Sequence, residues 1–151
     1  MQTTDVVKTV IRHPRRLEEL LDMLGDIDIP IRGRAAATLA RLAESHPESL
    51  LGAMSRLREH MNDDCDYVRW HLVYAFGEIS ARVSESEHEY WAVIFAGMDD
   101  SSRIVRMIAG KAAARLAGKH PEAVAAFYRD TQRHIPRELQ NFFPPNSDNR
   151  K

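Results

Sequence analysis

The sequence predicts an all-α solenoid, a stack of antiparallel helix pairs, on three observations. The chain repeats itself at a spacing of 37 residues, which aligns Ile31, Val68 and Val105, then Arg32, Arg69 and Arg106. Six residues before each arginine stands an aspartate: Asp26, Asp63 and Asp100. Apolar residues inside each unit recur at helical spacing, and no segment has the alternation and β-branched density of a strand. Repetition at roughly 20–50 residues marks units that cannot bury an apolar face alone and stack to do so.

Taken in order, Thr4 or Asp5 is placed to cap a first helix bearing Val6, Val7, Val10 and Ile11 on one face, and His13-Pro14 interrupts it. Leu17, Leu20, Leu21 and Leu24 make a short amphipathic helix from Arg15 that Gly25 is expected to stop in a left-handed conformation. Asp28 is expected to cap the next helix, with Pro30 in its first turn, where a missing N–H costs nothing. Three helices of this kind align, over about 30–45, 67–82 and 104–118. Their inward columns are Ala35/Leu72/Ala109, Leu39/Phe76/Ala113 and Leu42/Ile79/Leu116, and the column Ala40/Gly77/Ala114 is always small, as close helix crossing requires. Each is followed by a partner helix, over about 47–61, 84–98 and 121–134, with Met54, Trp91 and Tyr128 in one bulky column. Ile135-Pro136 is expected to end the last helix. The expectation is one domain over 1–136, with units at about 26–62, 63–99 and 100–136, then a tail over 137–151. In that tail Leu139, Phe142 and Phe143 are candidates to fold back over the open end of the stack, and Pro144 to Lys151 reads as disordered.

Composition sets further bounds. A length of 151 residues suits one domain, and no apolar run approaches the length of a membrane span. The N-terminal residues lack the basic region and apolar core of a secretory signal, and Cys65 is the only cysteine, so a reducing cytoplasm is the expected location. The net charge of -1 conceals an asymmetry. Residues 46–100 carry four basic and eleven acidic side chains, whereas residues 101–151 carry ten basic and four acidic. A solenoid spreads this order along its length, giving a dipolar rod whose acidic middle is a poor track for duplex nucleic acid.

The run Asp-x-Asp-x-Pro-Ile-Arg at Asp26–Arg32, followed by the Ala-rich stretch Arg34–Ala40, resembles a HEAT repeat. The resemblance covers about residues 13–135. It implies a right-handed α-α superhelix, armadillo-like, of about three helix pairs plus terminal helices. It also implies that Asp26, Asp63 and Asp100 with Arg32, Arg69 and Arg106 are structural residues, linking neighbouring units in a ladder. The sequence departs from the pattern at Cys65, which stands where Asp28 and Ser102 are expected to cap, and in a first unit four residues short.

Catalytic and metal chemistry find little support. His46 and His120 occupy equivalent places two repeats apart, as do His60 and His134, so each pair is expected about 20 Å apart, beyond shared coordination. HEAT-like deoxyhypusine hydroxylases bind iron through several His-Glu dipeptides; this chain has one, His88-Glu89. Cys65 sits at a helix start but among Asp63, Asp64 and Asp66, which oppose thiolate formation. The expectation is a protein with no enzymatic activity, no metal and no cofactor.

The informative positions are those the core does not demand. HEAT solenoids line their concave side with the arginine-bearing helices. Their outward columns here read Gly33/Trp70/Met107, Arg34/His71/Ile108, Ala37/Tyr74/Lys111 and Arg41/Glu78/Arg115. Trp70 and Tyr74 lie one turn apart on one face. With Arg34, Arg41, His71, Met107 and Lys111 around them they form a candidate patch for a protein or peptide partner, unless the two rings pack between repeats instead. The expected function is therefore a non-catalytic interaction scaffold. Two alternatives belong to other classes: a nucleic-acid-binding HEAT protein of the DNA-alkylation-repair type, and a bilin-lyase-like chaperone.

Overall fold

A computed structural model describes residues 3–83 and 88–143. Its elements are α1 (Thr3–Arg12), α2 (Pro14–Met23), α3 (Ile29–Ser45), a 3-10 segment (Pro47–Ala53) leading into α4 (Met54–Glu59), and α5 (Asp66–Arg82). A short 3-10 turn (His88–Tyr90) then leads into α6 (Trp91–Gly97), followed by α7 (Arg103–Lys119), α8 (Pro121–Asp130) and a final 3-10 segment (Arg137–Phe142). Among the described residues there is no strand, and no helix is long and apolar enough to cross a membrane.

The helices form two rows. α3, α5 and α7 pack side by side, with α1 beside α3 at one end, and α2, α4, α6 and α8 form the second row. The core lies between them. The three inward columns of α3, α5 and α7, from Ala35 to Leu116, are all fully buried, and Met54, Trp91 and Tyr128 face them from the second row at 1–3% exposure. Side chains the size of Leu72, Phe76 and Ile79 each contribute roughly 1.5–3 kcal/mol when taken out of water, so this seam is the main source of stability. Small residues let helices close within and between the rows: a Cβ on Gly77 of α5 would stand 2.9 Å from the Ala112 Cβ of α7, and one on Gly97 of α6 would stand 2.9 Å from the Ala109 Cβ of α7.

Several local expectations are corrected. α1 already begins at Thr3, so Thr4 and Asp5 fall inside its first turn. Gly25 is not left-handed, since no described glycine has positive φ; three successive i→i+3 bonds, from the amides of Leu24, Gly25 and Asp26, tighten the end of α2 instead. Asp28 and Ser102 occupy N-cap positions without a side-chain cap bond. The work is done two residues earlier: Oδ1 of Asp26, Asp63 and Asp100 accepts the amide of Asp28, Cys65 and Ser102, at 2.9, 2.9 and 2.8 Å. These Asx turns set the extended N-cap backbone from which each helix starts.

The second-row helices are shorter than expected. Ser49 bonds its own turn through the His46 carbonyl at 2.7 Å, and Gly52 adds a weak helix former, so Pro47–Ala53 winds as a 3-10 segment before α4 begins. The expected start of the middle partner helix, 84–87, lies outside the described residues; 88–90 form a 3-10 turn before α6, and α8 ends at Asp130, after which Gln132 turns the chain with a φ of 53°. Residues 137–143 fold back on α7: Leu139 is fully buried, the Phe142 ring lies against Gly118, and Phe143 packs on the core. The expected tail over Pro144–Lys151 lies outside the described residues.

Candidate partner-binding face

The row α3–α5–α7 is stitched at both ends of its helices. At the N-terminal ends, Arg32 Nε and Nη2 donate to the two carboxylate oxygens of Asp63 at 2.8 and 3.2 Å, and Arg69 does the same to Asp100 at 3.0 and 3.0 Å. Both pairs are nearly closed to solvent. Burial by itself would raise the Asp63 and Asp100 carboxyls, but the arginine and amide hydrogen bonds outweigh it and hold both below the ordinary carboxylate range. At the C-terminal ends, Arg82 Nη1 donates to the Glu44 carbonyl and Lys119 Nζ to the Ala81 carbonyl, satisfying acceptors that the helix itself leaves open. Arg82 and Lys119 stand one period apart, as do Glu44 and Ala81. Sequence reading missed this second ladder, although a basic residue recurring in the last turn was its visible signal.

Between the two stitched edges, the side of the row turned away from the second row is grooved. A cavity of about 350 Å³ between α1 and α3 is lined by Val7, Ile11, Arg41 and Glu44. The next, about 250 Å³ between α3 and α5, has Arg41, Glu44, Trp70, His71 and Tyr74. A third, about 260 Å³ between α5 and α7, has Tyr74, Glu78, Lys111 and Arg115. Adjoining cavities share walls: Arg41 and Glu44 belong to the first two, Tyr74 to the second and third. Lys111 and Met107 continue into a wider opening past α7.

The candidate residues other than Arg34 thus line one run of adjoining openings. Trp70 and Tyr74 are half-buried in its centre, and Tyr74 Oη donates to Glu44 Oε2 at 3.1 Å. Burial, then Glu78 and Glu44, push the Tyr74 phenol above its ordinary value. Arg41, Met107 and Lys111 are exposed on the trough walls, whereas Arg34 is exposed on α3 and lines none of these cavities. Glu78 bridges two helices, accepting from Arg115 at 3.0 Å and from Arg82 at 3.5 Å.

Two residues placed outward are in fact packed. His71 is 7% exposed, with Nδ1 bonded to the Tyr67 carbonyl at 2.7 Å and its ring stacked on Trp70 at 3.4 Å between centroids. Burial lowers its pKa, partly offset by that hydrogen bond, so it contributes a neutral wall rather than a charge. Gly33 is buried because the Tyr67 ring covers it, 3.2 Å from where a Cβ would stand. Tyr67, which the sequence reading passed over, also meets Trp70 edge-on at 5.8 Å and completes an aromatic cluster at the start of α5.

The histidines serve turns and ring stacks. His46 and His120 end α3 and α7, and His88 stacks on Trp91 at 4.1 Å. No group of three or more His, Cys, Asp or Glu is placed to hold a metal among the described residues. No curated protein and no solved structure matches the chain. Residues 29–79, from the start of α3 through Ile79 of α5, match the family model described as HEAT-like repeat. That match makes this stretch similar to a HEAT-like repeat, and the paired helices stacked in two rows form an all-α, HEAT-like solenoid.

Proposed function

We propose that the protein is a non-catalytic scaffold that binds a protein partner along the trough of the α1–α3–α5–α7 row. The observation that carries this reading is the continuity of the three cavities, which share Arg41, Glu44 and Tyr74 as common walls. An extended peptide or a helix needs several adjoining sites of that size, whereas a small substrate needs one enclosed pocket. Half-buried Trp70 and Tyr74 supply rigid amphipathic anchors, and Arg41, Lys111 and Met107 supply a mixed rim. Glu44 and Glu78 at the centre disfavour a phosphodiester backbone, which supports a protein partner over the nucleic-acid alternative. A cytoplasmic location fits a chain with one cysteine, half-exposed at the start of α5.

Affinity capture from the native cell extract tests the reading, with wild type beside a Tyr74→Ala/Lys111→Glu variant. Both residues belong to two adjoining openings, and neither is buried in the core. A protein retained by wild type and lost by the variant supports the reading. Retention of nucleic acid or pigment, or identical retention by both baits, contradicts it.

A further inference from the structure

Among the described residues the arginine–aspartate ladder has half a rung at each end of the α3–α5–α7 row. In α3 and α5 the guanidinium does two things. Nη1 donates to the carbonyl of the aspartate six residues earlier, at 3.1 Å for Arg32 and 2.8 Å for Arg69, while Nε and Nη2 take the next unit's carboxylate. Arg106 of α7 keeps the first interaction, to the Asp100 and Ser101 carbonyls at 2.8 and 3.1 Å. Its Nε and Nη2 have no hydrogen-bond partner among the described residues, because one period beyond Asp100 stands Arg137. At the other end the Asp26 carboxylate holds the amide of Asp28 as its counterparts do, yet no arginine reaches that carboxylate among the described residues. Each half is oriented as in a complete rung and lacks the other.

We propose that copies of this chain associate head to tail, Arg106 of one copy taking Asp26 of the next. A second internal pairing agrees. Ser102 Oγ donates to Asp66 Oδ2 at 2.9 Å across the α5–α7 boundary. Moved on by one period, that position pairs Arg103 with Asp28 of the following copy, again opposite charges. Asp28 and Arg103 are both exposed and make no side-chain hydrogen bond among the described residues. Both rungs therefore place a guanidinium on one end against a carboxylate on the other.

The apolar residues fit the same contact. Ile27 and Ile29, beside Asp26, are 92% and 48% exposed, where the inner units have Asp64 or Ser101 and Asp66 or Arg103. At the opposite end Ile104 and Met107 are 37% and 51% exposed. There Arg103, Arg106, Met107 and Lys111 line one opening of about 510 Å³ in which Glu138 is the sole acid. Later turns are already covered at both ends, by α1 against Arg41–His46 of α3 and by Phe142 against Gly118 of α7. The contact is thus confined to the first turns of α7 and α3, and it is electrostatically steered and moderate in strength. Two different surfaces meet, so the contact is heterologous, joining copies into an open chain or a closed ring whose population grows with concentration.

Sedimentation velocity on the full chain, from micromolar to millimolar concentration, tests this. The mean mass is expected to rise above 17.2 kDa with concentration and to fall back in about 1 M salt. Asp28→Arg and Arg103→Asp, which remove no internal hydrogen bond, each hold the protein at monomer mass by setting like charges against each other. Mixed in equal amounts they regain association, since each supplies the end the other needs. Asp26→Arg with Arg106→Asp repeats the test on the first rung, with circular dichroism confirming that every variant is folded. A wild type that stays monomeric throughout, single variants that associate as wild type does, or a mixture that fails to recover overturns the proposal.

Discussion

Arg69 grips the Asp100 carboxylate with Nε and Nη2 at 3.0 Å each, while its Nη1 holds the Asp63 carbonyl of its own unit at 2.8 Å. One guanidinium therefore joins two units and fixes the loop that starts its own helix. Its side chain is 14% exposed and the carboxylate's 17%, so water compensates little when either is removed.

Arg69→Ala leaves Asp100 partly buried without its cation and frees the Asp63 carbonyl. The expected loss is about 2–3 kcal/mol, read from denaturant midpoints. Arg69→Lys is expected to recover only part of it, because an ammonium cannot reproduce the fork that meets both carboxylate oxygens. A neutral Arg69→Ala contradicts the role of the ladder.

Close approach of α5 and α7 makes a second prediction. In Gly77→Ala the new methyl meets the Ala112 Cβ at 2.9 Å, and that atom has no rotamer to move away. The helices must part, at a cost of about 1–3 kcal/mol. Gly52→Ala is the control: nothing lies within 4 Å of its Cβ, and the substitution is expected to be neutral or to stabilise by up to about 1 kcal/mol. Thermal melts of the two variants separate crowding from helix propensity.

Stability is expected to fall on the acid side in two stages. His71 has a depressed pKa in the folded state, so the unfolded chain takes up that proton first, and stability declines as pH drops below about 6.5. Asp63 and Asp100 are also depressed; their contribution is complete above about pH 4 and is lost as pH falls through their lower folded values. Urea titrations across pH check both stages, and His71→Phe is expected to remove the first while keeping the second.

Trp70 stacks on His71 and packs against the cluster of Val73, Val105 and Ala109, so it serves the fold as well as the face. Trp70→Ala is expected to cost about 1–2 kcal/mol, less than a fully buried tryptophan. By opening His71 to water it also raises that imidazole toward its ordinary pKa, which an NMR titration reads directly.

The long first-row helices were legible because a repeat reports its own register. Residues such as Leu72, Phe76 and Ile79 recur in place, and period and burial agree. Less legible were features that depend on local competition for hydrogen bonds. Asp28 looked like the cap, yet Asp26 holds the turn from two residues away; Ser49 and Gly52 tip a predicted helix into a 3-10 segment. On the candidate face, helical spacing placed Trp70 and Tyr74 together on one side. It could not show that Tyr67 shields His71 and Gly33, because that depends on side-chain direction across two helices.

The most direct test of a face separate from the forces that hold the fold compares the Tyr74→Ala/Lys111→Glu variant with Arg69→Ala in one thermal melting series, alongside partner capture. The account predicts that the face variant melts within about 2–4 °C of wild type and loses its partner, while Arg69→Ala melts clearly lower. A face variant that melts as low as Arg69→Ala, or that keeps every partner wild type retains, contradicts it.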